Sequence, residues 1–498
     1  AHTGLELVPH DPWFFERYVS PETHPYMVAG ETVEPYHGLP GNAFSKAVFR
    51  DGFEPDDGYL LMQGENVGPS FLGAGPQGNA ICRYTELGSL LLFQNVQKVT
   101  SWARSVVSIS RGQHDPVSAA CSVEASFKTP RLQGMSSALA RNGGATWTRH
   151  VLRRRRAYFA VFDEARFTDA AAEGTDYQVV CRWRSYHPGR KDDDRHFSAL
   201  DGGNGTELHI VTPEPLVTDV TLEPRDGAAR PTMLRQYLSG RYRKDARTCF
   251  RNLLYATNDA RRRSFDVRPQ GTAAMLVNGV AEGTPVVDLI AVGSDQTDGL
   301  PESDAALRVL SGDGCVWAGC RSLRIGDTTI TSDQPVTVVL DSELSACVVI
   351  VGGAQAVLTG QGGAIVDGEG LSAAGRTLSP GRHVLQIPGT NDVLERVGVR
   401  LRKAWEEAAV HPVAGAAKED ISAPLSARPA KTQNMAHIAP RHAIQRTVRV
   451  SANPEPLDGH PYSWARNPQQ WFDRDVPWMG AEVPGWQSGS GEILLDFM

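Results

Sequence analysis

Short apolar runs broken by turn residues constrain this chain more than any other feature. Between about 46 and 285 the strand-like runs are 46–50, 58–62, 80–84, 89–93, 105–110, 121–127, 146–152, 158–163, 177–183, 207–212, 217–222 and 249–256. Gly, Asp, Asn and Pro separate them roughly every 8 to 15 residues, with no amphipathic helix between. Many strands at that spacing make a large antiparallel sandwich rather than alternating strand–helix units. The fold class expected is therefore all-β.

The pattern divides the chain. Residues 1–45 have no period and read as an irregular N-terminal arm. Residues 46–285 form the large sandwich. Strands continue over 286–389, but Gly, Ala, Val and Asp replace Arg, which marks a second, smaller sandwich. Val393, Val397, Leu401, Trp405 and Ala408 then recur on one helical face, so a helix is expected over 390–409. A Pro/Ala/Lys/Ser linker follows to 440. In 441–498 a strand at 446–451 precedes an aromatic stretch with Trp464, Trp471, Phe472, Trp478 and Trp486. The run Glu492-Ile493-Leu494-Leu495-Asp496-Phe497 reads as a strand with nothing after it to pair with, as in a truncated domain.

Charge limits the partners. Fifty basic against 57 acidic residues leave a net charge of −7, which argues against nucleic acid. No apolar run is long enough for a membrane span. The arginines cluster at 153–156, at Arg182, Arg184 and Arg190, at Arg241, Arg243, Arg247 and Arg251, and at 261–263. Such clusters make either a basic surface for an anionic ligand or a set of solvated strand faces. Of seven cysteines, Cys315 and Cys320 are spaced to bridge a short hairpin loop, and the others pack as small hydrophobes.

Tyr59-Leu60-Leu61-Met62, a Gly-rich loop from Gly73 to Asn79, Ala80-Ile81-Cys82-Arg83-Tyr84, Gly88 and Leu90-Leu91-Leu92 follow one another in order. Trp147-Thr148-Arg149-His150-Val151, Tyr158-Phe159-Ala160-Val161-Phe162-Asp163, the run 177–183 and Phe250-Arg251-Asn252-Leu253-Leu254 continue the series. This arrangement, over about 46–260, resembles the β-sandwich part of heparinase II/III-like polysaccharide lyases. The resemblance implies a carbohydrate-active protein that acts on uronic-acid glycans by β-elimination, outside the cell, at its surface or in the periplasm. It also implies a helical toroid supplied by a further domain or another chain. Residues 446–497 resemble, more faintly, the opening of a discoidin-type galactose-binding jelly roll.

The departures bear on chemistry. Where the family carries His-x-His-x-Asp, this chain has Gly73, Gly75 and Gln77, and Arg104 stands where a later family histidine is expected. Glycine can neither move a proton nor hold zinc, so no metal and no cofactor are expected. Elimination needs a base, an acid and a group that neutralises the uronate. The residues left for these tasks are Tyr84 and His150 as acid or base, and Asn79, Gln77, Arg104 and Arg184 for the carboxylate. Each also has a plainer reading: Asn79 as a turn residue before a strand, Arg104 as a strand surface residue, His150 as a half-buried strand histidine. The alternative function is a glycan-binding or structural surface protein with a degenerate lyase site.

Overall fold

The structure, a computed structural model, describes residues 5–9, 15–19, 26–28, 31–65, 78–94, 104–112, 115, 117–223, 229–293, 300–342, 346–352, 355–388, 390–410, 448–453 and 492–497. It is mostly β, with several antiparallel sheets and, among the described residues, one α-helix and no closed barrel.

Three large sheets stack. The first runs Glu6–Pro9, Phe44–Arg50, Tyr59–Gln63, Ile81–Glu86, Ser89–Phe93, Thr175–Ser185, Thr232–Tyr237 and Val217–Leu222 in spatial order. The second runs Ser122–Lys128, Leu132–Asn142, Ala145–Arg154, Tyr158–Arg166, Arg247–Thr257, Thr206–Val211, His196–Asp201 and Gly189–Lys191. The third begins at Arg263–Pro269, so position 285 falls in its strand Thr284–Val292. Its long strand Thr328–Asp341 pairs with Ala346–Val351 at one end and with Ala356–Gln361 at the other, which curls that sheet into a smaller sandwich.

Side-chain alternation assigns the layers. Trp147 and Val151 join Leu60, Met62, Tyr84, Leu91 and Trp183 in the core between the first two sheets. Leu152, Phe162 and Leu253 join Met275, Val277, Ile290 and Val309 between the second and third. Val393, Val397, Leu401 and Ala404 of the helix Thr390–Val410 close the far side of the third sheet, with Trp405 packed beside them. The second sheet is thus covered on both sides over much of its area, and Tyr158–Arg166 is buried along nearly its whole length.

A strand buried on both faces cannot carry a charge without a partner. Arg153 meets Asp51 and Glu86 (Nη2 to Oε1 3.1 Å) between the first two sheets, where Arg263 also donates to Glu86 at 2.8 Å. Arg154, on the opposite face, meets Asp288 at 3.0 Å and Asp313 at 2.8 Å. Arg149 is held by Asp163, with Nε to Oδ1 at 2.6 Å and Nη2 to Oδ2 at 2.9 Å. The basic clusters are therefore split: Arg153, Arg154, Arg184, Arg251 and Arg263 are buried, and Arg155, Arg156, Arg241, Arg243 and Arg262 are exposed.

Two expectations are corrected. Cys315 and Cys320 lie on the single strand Gly314–Ile325 and are free thiols. Five residues along a strand span about 16 Å, far beyond the reach of a disulfide. The strand Glu492–Phe497 does have a partner, pairing antiparallel with Val448–Asn453. The aromatic stretch between those two strands, and the linker 411–440, lie outside the described residues.

Candidate functional site

Coverage of the second sheet stops partway along its strands. Along Ala145–Arg154 the face turned to the third sheet carries Thr146, Thr148, His150, Leu152 and Arg154 in turn. Leu152 and Arg154 are roofed over; Thr146, Thr148 and His150 line an open cleft of about 680 Å³. The third sheet contributes only Gly293 and Ala306 to its rim. The opposite wall is Glu34, Tyr36, His37 and Gly38, from the segment expected to be an irregular arm. That wall is tied down. Glu31–Glu34 pairs in parallel with Val117–Ser118, the Tyr36 amide donates to the Val19 carbonyl at 2.7 Å, and Ala43 bridges to Ser122.

The cleft is polar. Hydroxyls come from Ser118, Ser122, Ser136, Thr146 and Thr148, and charge from Glu34, Glu124, Glu164, Arg141, Arg166 and Arg247. Arg141 pairs with Glu34 at 3.1 Å, Arg166 with Asp245 at 2.7 Å and Arg247 with Glu164 at 3.3 Å. All three guanidinium groups are about half exposed, so these pairs are weak and water-screened. They are free to exchange a protein carboxylate for one on a ligand.

His150 forms the cleft floor and is only 5% exposed. Its Nδ1 lies 2.7 Å from Ser136 Oγ, directly across the ladder. Burial pushes the imidazole down to about 3, so it is neutral at ordinary pH. A neutral ring offers one donor and one acceptor.

The other candidates do not gather around it. Tyr84 is wholly buried between the first two sheets, where its hydroxyl donates to Glu86 at 2.5 Å. Burial, and then Glu86, hold its phenol well above the usual range. Tyr84 belongs to the interior, not to a ligand-facing surface. Asn79 is also fully buried, with φ +60°, a conformation asparagine tolerates better than most residues. Its side chain bonds Ser137 Oγ and the Ser137 and Trp147 carbonyls, and its own carbonyl accepts from Arg149 Nη1 at 2.7 Å. Arg184 is buried with Nε on Glu223 Oε2 at 2.8 Å and its guanidinium 4.2 Å from the Phe93 ring centre. Arg104 is buried too. Gln77, with Gly73 and Gly75, lies outside the described residues.

Of the candidate acid, base and carboxylate-binding residues that are described, only His150 lines the cleft; Arg247, from one of the arginine clusters, lines it too. Missed were Ser136, Glu34, Arg141, Glu164 and Arg166. Their signal was there: Thr146-x-Thr148-x-His150 and Glu164-x-Arg166 place polar side chains on one face of otherwise apolar strands. Period two alone does not distinguish a cleft from open solvent. Among the described residues no group of three or more His, Cys, Asp or Glu is arranged to hold a metal, and no helix is long and apolar enough to cross a membrane.

No protein-family model and no curated protein matches the chain. Solved structures do show a partial likeness over about half of it. The heparan sulfate lyase HepC from Pedobacter heparinus matches at 14% identity and a TM-score of 0.39, covering 52% of this chain and 44% of its own. A heparinase III matches at 12% identity and a TM-score of 0.38, covering 49% and 41%. This chain therefore spans less than half the length of those structures. What stands is a mostly β protein with a partial structural resemblance to heparinase III and heparan sulfate lyase chains.

Proposed function

We propose that this chain binds a segment of an acidic glycan in the cleft on the second sheet, without cleaving it. The observation that carries the reading is the set of half-exposed guanidinium groups of Arg141, Arg166 and Arg247 around a floor of hydroxyls and a neutral imidazole. Hydroxyls and imidazole suit sugar hydroxyl groups, and the guanidinium forks suit carboxylate or sulfate. The glycan class follows from the resemblance of residues 46–260 to polysaccharide lyases. On this reading the chain works outside the cell, at its surface or in the periplasm.

Catalysis is a different demand. His150 is the imidazole on the cleft floor, with the carboxylates of Glu124 and Glu164 also in the lining, and a base that titrates near 3 takes a sugar C5 proton poorly. Its position still gives the lyase reading one specific foothold. The two readings separate in one experiment. The purified chain is titrated with uronic-acid oligosaccharides, and the ultraviolet absorbance of an unsaturated product is followed in parallel. Saturable binding that Arg247→Ala and Arg141→Ala each weaken several-fold, with a flat absorbance trace, is the expected result. Binding indifferent to both substitutions refutes the cleft. An absorbance rise that disappears in His150→Ala replaces binding with elimination.

A further inference from the structure

The face of the second sheet that carries the cleft passes from open to covered along one line. Strand register sets its side chains in rows that cross the sheet. In one row Ser122, Ala138, Thr148, Glu164 and Cys249 stand side by side on five strands, and all are partly exposed. The next row is Ala125, Ser136, His150, Phe162 and Arg251, and all are buried. The third sheet draws that line. Gly293 and Ala306, joined by a hydrogen bond of 3.1 Å, stand at the edge of the cleft, and Gly319 packs so close that a Cβ added to it would come within 3.1 Å of the Ala125 Cβ. Along the strands, then, the cleft ends against a wall. Across the strands it is closed at one edge as well. Ser122 pairs with Ala138 on one side and bridges to Ala43 on the other, so the segment that bears Glu34 and Tyr36 stands where the sheet would otherwise have a bare edge.

A groove for the interior of a polymer must be open at both ends. Here a chain lying on the floor in either direction meets a wall at one end. From Ser136 at the wall to Ala140 in the open, the floor is about 14 Å long at a strand's rise of about 3.4 Å per residue, which seats a few linked sugar rings. The group waiting at the wall is His150. Its Nδ1 is taken by Ser136 Oγ at 2.7 Å, while its Nε2 bonds no described residue and stays open to solvent. A neutral ring with one nitrogen engaged presents the other to a ligand hydroxyl. Arg166 and Arg247 rise from the exposed row at the open end. We propose that the cleft takes the end of a glycan chain rather than its interior, with the terminal ring against the wall at Ser136 and His150 and the acidic groups of the following rings toward Arg166 and Arg247. This inference rests on the cleft being the glycan site and adds which part of the glycan it accepts.

The test titrates the full chain with uronic-acid oligosaccharides of increasing length, and with the corresponding polymer, by calorimetry. End recognition gives one protein per glycan chain at every length, the polymer included. A bulky label on the reducing end or a blocking group on the non-reducing end should weaken binding about tenfold or more in one of the two cases, because only the end at the wall has no room for it. Binding that Arg247→Ala weakens, but whose stoichiometry grows in proportion to glycan length or which tolerates both end groups, overturns chain-end recognition and leaves the cleft as the glycan site. Binding that Arg247→Ala does not affect, or no binding at any length, overturns the cleft itself and this inference with it.

Discussion

His150→Asn tests the electrostatics of the cleft floor. Asparagine places a polar atom near the position of Nδ1 and keeps a partner for Ser136 Oγ, but it cannot take up a proton. In the native chain burial depresses the imidazole to about 3, whereas in the unfolded chain it titrates at about 6.5. For a group whose folded value is depressed, the stabilisation is complete above the unfolded value and is lost as pH falls toward the folded one. Below about pH 6.5 the unfolded chain therefore binds one more proton than the native chain, and stability drops by about 1.4 kcal/mol per pH unit in the steep part of the window. Between pH 7 and pH 5 linkage gives a loss of about 2 kcal/mol from this residue alone. Urea unfolding of parent and variant at pH 7, 6 and 5 isolates it, because all other titrating groups cancel in the difference. The parent should lose about 2 kcal/mol relative to His150→Asn over that range. A difference that stays flat would show that water reaches the ring and that the cleft floor is wetter than the packing indicates.

Two further predictions concern the network between the first and second sheets. Glu86→Gln leaves Arg153 and Arg263 short of a carboxylate in a buried setting and should cost about 3 to 5 kcal/mol in urea unfolding at pH 7, where Glu86, held near 2 by those two arginines against burial, is ionised. Tyr84→Phe removes only the hydrogen bond to Glu86. It should cost about 1 to 2 kcal/mol in the same assay and leave glycan affinity, measured by titration calorimetry, unchanged.

The strand series was legible because each apolar run between turn residues is a local signal, and the helix because five residues recur at its period. Layering was not legible. Arg153 and Arg154 are adjacent arginines in a basic run, which in sequence looks like a solvated surface. One faces Asp51 on the first sheet and the other Asp288 on the third. Their partners lie 102 and 134 residues away, and no local rule connects them. The same long range hid the site. Ser136 and His150 are 14 residues apart, but Glu34 meets Arg141 across 107, and the wall bearing Glu34 came from a segment without any periodicity. Asn79 shows the reverse case. Its turn-residue reading was local, and the structure places it in a left-handed turn position before a strand.

The position of the cleft follows from the architecture of a sheet covered on both sides. Where a neighbouring sheet lies over the second sheet, a charged group is stable only with a partner, and Arg149, Arg153 and Arg154 each have a buried carboxylate there. Where the third sheet ends, the constraint lifts. A single strand face records the change within nine residues: Thr146 and Thr148 open to the cleft, His150 nearly sealed but hydrogen-bonded, Leu152 fully packed, Arg154 locked to Asp288 and Asp313. His150 stands at the boundary between the two regimes, buried enough to stay neutral and near enough to the surface to line the cleft. A ligand seated there would meet a rigid floor, since the strands beneath it continue into the packed core, and exchangeable side chains at the rim, since Arg141, Arg166 and Arg247 are held by weak surface pairs. Rigid hydrogen-bonding groups below and exchangeable charge at the rim are what recognition of a charged, hydroxyl-rich chain requires.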